Sequence, residues 1–351
     1  MGAVLAIGMA LFLETPQQSS AAGPTEHTER DEVSAAWPPY VATSFWNTPI
    51  PADAKVRVDS AELLARIPAA NPAVGVLTAD VSQNSYPIYV VNERTPKTSV
   101  IVDEYFSYFE RFPIVPDGVR RGAGFNPTIR WVPIPVEASA GGGVDDQILF
   151  WNPRTGAEWS FWQFRNQDGT CRATSGYVYN TRFGTGRTRG SGRGAGVSKL
   201  GGLVAAREVE VDGVIKHAVA FAYATPSPQW VFPATKSDGR GERGRDLPEG
   251  ARIQLDPQLG DADFDRLGLS KPARVIARAL QTHGLILVDG SGRPKAFLES
   301  HVTGAWPEPA ALEMALAPLT KDAQDRPDWS RFRVLDWDHW TGGELGLQGT
   351  E

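Results

Sequence analysis

The sequence KHAVAFAYA, residues 216–224, decides the fold of this chain, because small and large side chains alternate along it without a break. Alternate residues of a β-strand point to opposite faces, so alanines line one face and His217, Val219, Phe221 and Tyr223 line the other. A face of alanines allows a helix or a loop to pack closely against the strand. We therefore predict a buried strand over this segment, with its register fixed by the pattern.

Further strands are predicted on both sides of this segment. The sequence QILFWNPRTGAEWSFWQF, residues 147–164, predicts a β-hairpin, since a short loop with a glycine joins two aromatic segments. Turn signals separate the other segments at the spacing of a meander or sandwich. These segments are Pro87–Val91, Ser99–Tyr105, Thr128–Val136, Arg172–Asn180, Leu285–Val288, Pro294–Glu299 and Trp329–Trp337.

Helices are predicted at only a few places. A capping box at Asp59 begins a short helix with one apolar face, and Ser270–His283 has a serine N-cap and a glycine directly after it. Glu308–Leu319 is a third candidate. The chain is thus predicted to be mainly β: a single-domain β-sandwich or jelly roll over residues 37–345, with two or three flanking helices. A division into two domains near residue 200 is the alternative.

The composition excludes several classes of protein. The chain has 351 residues and a formal net charge of −6, so no excess of positive charge favours nucleic acid or an anionic membrane. Cys171 is the single cysteine, which rules out an internal disulfide and any metal site built from several cysteines. The five histidines show no metal-ligand spacing, and no G-x-S-x-G nucleophile motif is present. We expect neither a metal nor a cofactor.

The N-terminus predicts export. Residues 1–22 contain the apolar run Ala3–Leu13 and end in small residues before Gly23, which is typical of a secretory signal peptide, although the usual positive charges are missing. The apolar run is too short to cross a bilayer. Residues 23–36 are polar and charged and predict a disordered linker. We expect a secreted, extracellular protein without a stable membrane span once the signal is removed.

A glycine-rich segment precedes the alternating strand. The sequence FGTGRTRGSGRGAGVSKLGGL, residues 183–203, holds eight glycines and three arginines. It lacks the lysine of a P-loop, and its flanks do not predict the βαβ unit of a dinucleotide site. Such density of glycine is typical either of a flexible surface loop or of a loop whose backbone lies close to something else. We consider it a candidate site, with Arg193 as a possible substrate-binding residue.

The candidate catalytic residues depend on the reaction. For hydrolysis, Asp146 and Asp238 are the candidate acid and base or nucleophile, since glycosidases use paired carboxyl groups. Asp238-Gly239 is also a plain turn sequence. For β-elimination on a uronate, His217 is the candidate base and Tyr179 the proton donor, although most histidines in strands are structural.

The candidate substrate-binding residues are cations and one tryptophan. Lys236 and Arg252 could neutralise an acidic sugar. The chain has eleven tryptophans, which supply flat faces for sugar rings as well as core volume, and Trp162 is the one we select.

Several sequence blocks resemble a group of secreted actinobacterial proteins of uncharacterised activity. These blocks are SFWNTPIP (44–51), IKHA (215–218), FPATKSDG (232–239), LPEGAR (247–252) and ALQTHG (279–284). The resemblance implies secretion and action on an environmental polymer, and the architecture is loosely similar to that of β-sandwich enzymes that degrade polysaccharides. The expected function is a secreted glycoside hydrolase with a polysaccharide or oligosaccharide substrate. The alternatives are a polysaccharide lyase and a non-catalytic carbohydrate-binding envelope protein.

Overall fold

The computed structural model describes residues 36–103, 108–109, 128–167, 169–188, 192–338 and 348–349, and at 108–109, 128–130 and 348–349 it describes the backbone alone. The predicted signal segment, residues 1–22, lies outside these ranges, and so does the predicted linker up to residue 35. No helix within the described ranges is long and apolar enough to cross a membrane.

Strands form most of the regular structure, so the prediction of a mainly β chain is confirmed. The helices are short: α1 Ser60–Ala70, α2 Asp261–Arg266, α3 Lys271–Thr282 and α4 Pro309–Leu312. The strands are β1 Thr78–Asp80, β2 Ile88–Val90, β3 Lys97–Val102, β4 Tyr108–Phe109, β5 Thr128–Pro133, β6 Ile148–Asn152, β7 Ala157–Trp162, β8 Arg165–Gln167, β9 Thr170–Ala173, β10 Ser175–Asn180, β11 Val219–Tyr223, β12 Ser227–Trp230, β13 Pro248–Glu249, β14 Arg252–Leu255, β15 Leu285–Gly290, β16 Lys295–Phe297, β17 Phe332–Val334 and β18 Gln348–Gly349.

The strands lie in several mixed sheets. The largest has the order β1-β16-β11-β15-β14-β17, with β11 and β15 parallel at its centre. A five-stranded sheet has the order β2-β6-β7-β10-β4, and its β6–β7 pair is the predicted hairpin. Smaller sheets have the orders β5-β3-β9-β8 and β13-β12-β18.

Three apolar cores separate these layers. The first lies between one face of the six-stranded sheet and helices α1 and α3. The second contains side chains from the other face of that sheet together with side chains from the five-stranded sheet and the glycine-rich segment. The third contains residues of β6, β7 and β10 together with β3 and β9. Each apolar face of the two large sheets is therefore covered.

The alternation in residues 216–224 places this strand between the first two cores. Val219, Phe221 and Tyr223 belong to the first core, and the alanines at 218, 220 and 222 belong to the second. The alanine face is covered by the glycine-rich segment, since the amide of Ala220 donates to the carbonyl of Gly202 at 2.8 Å. The strand itself begins only at Val219, so His217 lies before it and outside the sheet.

Other boundaries differ from those predicted. Helix α3 matches, and the Ser270 hydroxyl accepts the amide of Ala273 as a cap. The predicted strand 172–180 is divided at Thr174 between β9 and β10. The predicted helix 308–319 is reduced to α4, which has a proline in its first turn, and a 3₁₀ turn at Ala317–Thr320. The pairing of β18 with β12 extends ordered structure beyond residue 345.

Two glycines provide a matched test of packing on the alanine face, because both have left-handed φ angles, +67° at Gly202 and +64° at Gly213. A Cβ atom on Gly202 would overlap the Trp46 ring and lie 2.8 Å from the Ala220 nitrogen, whereas one on Gly213 would have no atom within 4 Å. We expect Gly202→Ala to lower the free energy of unfolding by about 1–3 kcal/mol more than Gly213→Ala. Urea unfolding measures the difference, and equal losses would contradict the close packing.

Candidate functional site

Three carboxylates come together beside the end of the central strand of the six-stranded sheet. Asp289 is the second-last residue of β15, Glu249 ends β13, and Asp238 lies in the segment between β12 and β13. One oxygen of each carboxylate lies within 4.8 Å of an oxygen of each of the others. The amide of Gly250 donates to the carbonyl of Leu287 at 2.7 Å, which holds β13 against β15. We call these three residues the carboxylate cluster.

The glycine-rich segment contacts this cluster through its backbone. The amide of Ala195 donates to the carbonyl of Val288 at 2.9 Å, one residue before Asp289. A Cβ atom on Gly194 would lie 2.5 Å from Oδ1 of Asp238 and 2.7 Å from Oε1 of Glu249. Only glycine leaves room for the carboxylates here, which answers whether this segment is a loose surface loop or a close-approach loop.

The three carboxylates differ in their exposure. Asp238 is exposed, Asp289 is half-buried, and Glu249 is fully buried. Neither oxygen of Glu249 accepts a hydrogen bond from any donor among the described residues. The Asp238 carboxyl lies within hydrogen-bonding reach of Glu249, but two carboxyl groups form a hydrogen bond only when one of them is protonated. The pair thus requires a shared proton or a cation between its oxygens.

Burial and neighbouring carboxylates oppose ionisation of Glu249 and Asp289. The pKa of Glu249 is held well above its ordinary value by burial and then by the charges of Asp238 and Asp289, while Lys236 acts against this rise. Burial and the charge of Asp238 raise the pKa of Asp289 to about 7, against the opposing charges of Lys295 and Arg193. Such perturbed carboxyl groups beside one another are typical of functional sites.

A second buried carboxylate, Glu158 on β7, fixes the glycine-rich segment in place. Its oxygens accept hydrogen bonds from Tyr40 at 2.9 Å, from Tyr177 at 2.5 Å and from Ser198 at 2.8 Å and 2.9 Å. The amide of Leu200 donates to it at 3.3 Å. Glu158 is therefore fully satisfied by donors, and we assign it a structural role.

Arg193 also holds this segment. Its guanidinium is buried and donates to the carbonyls of Ser198 at 2.7 Å, Gly201 at 2.5 Å and Lys199 at 2.7 Å. It lies over the rings of Tyr86 and Phe297 at about 5 Å from each centroid. The structure therefore uses Arg193 to shape the loop, in contrast to the substrate-binding role predicted for it.

Lys199 is a further buried cation near the cluster. Its ammonium group donates to Oε1 of Gln147, and burial lowers the pKa of Lys199 to about 7 although the charges of Asp289 and Asp145 oppose this. Asp145 is also one of the charges that raise the pKa of Asp289, so it faces the same polar region.

Two of the predicted site residues lie at the cluster. Asp238 is a member of it, and the charge of Lys236 acts on Glu249. Trp162 is half-buried and reaches the same region indirectly, because its indole nitrogen donates to Asp145 at 2.9 Å. Asp146 has a left-handed φ of 36° and its carbonyl accepts the amide of Phe164, but no described contact connects its carboxylate to the cluster.

The remaining predicted residues are buried elsewhere. His217 is 2% exposed and its Nε2 lies 3.1 Å from Oε2 of Glu208. Tyr179 is buried in the second core, and its hydroxyl accepts the amide of Gly186 at 3.3 Å. Arg252 donates to the carbonyl of Phe45 at 2.7 Å, and burial lowers its pKa to about 9. The structure does not bring these three residues to the carboxylate cluster.

Sequence reasoning missed Glu249 and Asp289. Both stand beside a glycine, in Glu249-Gly250 and Asp289-Gly290, and such pairs are typical of turns. The available signal was the placement of Asp289 directly after the apolar run Leu285–Val288, because a carboxylate at the end of a buried strand sits at a sheet edge. Glu249 gave no comparable signal, since its burial depends on the contact between β13 and β15.

The donor set of the cluster suits a hard cation. Three carboxylate oxygens are ligands of the kind that Ca²⁺, Mg²⁺ and Mn²⁺ prefer, whereas zinc sites usually include histidine or cysteine. An open depression of about 390 Å³ elsewhere is lined by Arg66, Arg240, Glu242 and Asp246. Arg66 is already paired with Asp246 there at 2.8 Å, so this depression offers less unsatisfied chemistry.

Comparisons of the chain with family models, with curated proteins and with solved structures gave no match.

The buried His217–Glu208 pair generates a pH prediction. Burial of the imidazole opposes its protonation, but the charge and hydrogen bond of Glu208 outweigh burial and raise the pKa of His217. A raised pKa in the folded state contributes stability below the unfolded-state value of about 6.5, and this is lost as pH rises through the folded-state pKa.

We expect the difference in unfolding free energy between wild type and His217→Gln to exceed about 1 kcal/mol at pH 6 and to shrink at higher pH. Urea unfolding across this range measures it. In a Glu208→Gln background the same difference should not vary in this way. A wild-type difference that is constant or grows with pH would contradict the pair.

Proposed function

We propose that the protein is an exported carbohydrate-active enzyme that hydrolyses glycosidic bonds at the carboxylate cluster. The observation that carries the proposal is the separation of the carboxyl groups, whose nearest oxygens lie within 4.8 Å. Retaining glycosidases place their two carboxyl groups about 5–5.5 Å apart, and inverting enzymes about 6.5–9.5 Å. Oxygens within 4.8 Å of one another are nearer to the first spacing than to the second, so we propose hydrolysis with retention of anomeric configuration.

Exposure divides the roles within the cluster. Asp238 is exposed and Asp289 is half-buried, so a substrate can reach these two, and they would serve as nucleophile and general acid. In such a mechanism one carboxylate attacks the anomeric carbon while the other carboxyl group protonates the leaving oxygen, and water then cleaves the glycosyl-enzyme ester. Glu249 is buried behind them and acts as a positioning residue for Asp238.

The surroundings of the cluster suit a sugar chain. Lys236 supplies a cation beside Glu249, and the half-buried Trp162 offers an aromatic face that is oriented by its bond to Asp145. As part of the proposal, we regard the two large sheets with their shared core as a single-domain sandwich. Export rests on the signal-like N-terminus and on the resemblance to secreted actinobacterial proteins.

The two alternatives are outcomes of the same experiment. Elimination by His217 and Tyr179 has less support, because both side chains are buried away from the cluster. A carbohydrate-binding envelope protein would retain glycans without shortening them.

The first test is a product screen with residues 37–351 on a panel of plant, algal, fungal and bacterial cell-wall polysaccharides. We expect saturated oligosaccharides, with the configuration retained by NMR, and a loss of about 100-fold or more in kcat for Asp238→Asn and Asp289→Asn. Asp146→Asn is the matched control and should keep its activity. Unsaturated products absorbing near 235 nm would indicate a lyase, and retention without cleavage would indicate a binding protein.

Gly194→Ala separates the geometry of the cluster from the stability of the fold. The added methyl group would meet the ends of the Asp238 and Glu249 side chains at 2.5 Å and 2.7 Å. These ends can turn aside, so we expect a loss of stability below about 1 kcal/mol. Displacing the carboxylates should nevertheless lower kcat by about 100-fold.

The control for this variant is Gly292→Ala, where the added methyl group would have no atom within 4 Å. Thermal unfolding and kcat are measured on both variants. A Gly194→Ala protein with unchanged kcat would show that the carboxylates are not positioned by this contact.

A further inference from the structure

The Glu249 carboxyl group is fully buried, and neither of its oxygens accepts a hydrogen bond from the described residues. Buried ionised groups in proteins are paired, hydrogen-bonded or coordinated to metals. Glu158, in contrast, is equally buried and has four donors. No described residue other than Asp238 lies within hydrogen-bonding reach of Glu249, so either a proton shared with Asp238 or a bound cation completes this part of the cluster.

The arrangement of oxygens fits one kind of partner. All three carboxylates of the cluster offer an oxygen within 4.8 Å of the others. Calcium binds oxygen at about 2.3–2.6 Å, so two ligands on opposite sides of one ion are about 4.6–5.2 Å apart. Magnesium, at about 2.0–2.1 Å, would require them within about 4.2 Å. Oxygens within 4.8 Å of one another fall in the range that a calcium-sized ion can bridge.

We propose that Asp238, Glu249 and Asp289 form a binding site for a divalent cation of the calcium class, with water completing the coordination. The exposed side of the site is Asp238, which gives the ion a path from solvent, and the buried side is the unpartnered Glu249. This inference goes beyond the proposed hydrolysis and stands or falls separately from it.

The charges around the site determine its affinity for a cation. Lys236 faces Glu249, Lys295 and Arg193 face Asp289, and Asp145 adds a fourth carboxylate to the region. Arg193 is committed to carbonyls of the glycine-rich segment, and Lys295 donates to the carbonyl of Asn84 at 3.2 Å. These cations reduce the attraction for a metal, so we expect a Kd in the range of extracellular calcium modules, about 10⁻⁴–10⁻³ M.

The cation and the hydrolytic reaction compete for the same oxygens. A carboxylate that coordinates the ion can neither attack a sugar nor carry a proton to a leaving group. The ion would thus suppress hydrolysis in a saturable way, a consequence that rests on the proposed function, whereas binding of the ion does not.

Terbium(III), a luminescent ion that occupies calcium sites, is the probe for the test. Trp230 is the ladder partner of Glu249 across β12 and β13, so its excitation should sensitise a bound terbium ion. We expect saturable terbium luminescence with the purified chain and displacement by Ca²⁺. Glu249→Gln and Asp289→Asn should each weaken terbium binding by at least about 10-fold, as expected on loss of a ligand from such a site.

Glu62→Gln, which changes an exposed acid on α1, is the control and should bind as wild type does. Circular dichroism on each variant establishes that it is folded, and Asp289, being half-buried, is the safer substitution if Glu249→Gln fails to fold. The absence of saturable binding, or binding that is unchanged in folded Asp289→Asn, would overturn the inference. Terbium binding without any glycan cleavage would contradict the proposed hydrolysis alone. Glycan cleavage without terbium binding would contradict the cation site alone.

Discussion

The burial of Glu158 and Arg193 beneath the glycine-rich segment is the constraint on which the rest of the structure depends. Each charged group is removed from water, and each is hydrogen-bonded by the loop itself or by residues packed on it. Leaving either unpaired would cost several kcal/mol, so both groups hold residues 193–201 of the loop in place. The loop lays its backbone across the alanine face of β11. The alanines of the strand and the glycines of the loop are thus both needed for the two backbones to pack this closely.

Two buried glutamates, Glu158 and Glu249, lie against this loop. Their hydrogen-bond partners differ, and this difference separates a structural carboxyl group from a candidate functional one. Glu158 accepts four hydrogen bonds, three from hydroxyl groups and one from an amide, and these donors hold it in place. Glu249 is equally inaccessible, yet none of the described donors bonds to it and two more carboxylates lie beside it. A fold selected for stability alone would place an apolar side chain at such a position, since a buried polar group without a hydrogen-bond donor costs free energy. The presence of a carboxyl group there is therefore an argument for chemistry at the cluster.

The sequence predicted the mainly β class of the fold but only part of the candidate site. Strand alternation in residues 216–224, the hairpin at 147–164 and the caps of α3 are local patterns, and the structure has all three. The strand at 172–180 and the helix at 308–319 were only partly right, because the one is divided at Thr174 and the other ends at Leu312, before a separate 3₁₀ turn. Asp238 was identified from its own segment. Glu249 and Asp289 were not, since their meaning arises from contacts between β13, β15 and the loop that no local pattern encodes.

Because the site is formed by contacts between distant segments, the position of His217 in the sequence did not indicate where the site lies. His217 attracted a functional interpretation because it continues the alternation of the strand, but the strand begins two residues later and the imidazole turns to Glu208. A buried imidazole with a carboxylate at 3.1 Å is satisfied in the way Glu158 is satisfied, and it leaves no atom for a substrate. Judged by residue type alone, His217 is a better candidate for a functional residue than Glu249. Judged by hydrogen-bond partners, Glu249 is the better candidate. Among the buried carboxyl groups of the described residues, Glu249 has no hydrogen-bond donor on either oxygen, which marks the place where a ligand, a proton or an ion completes the structure.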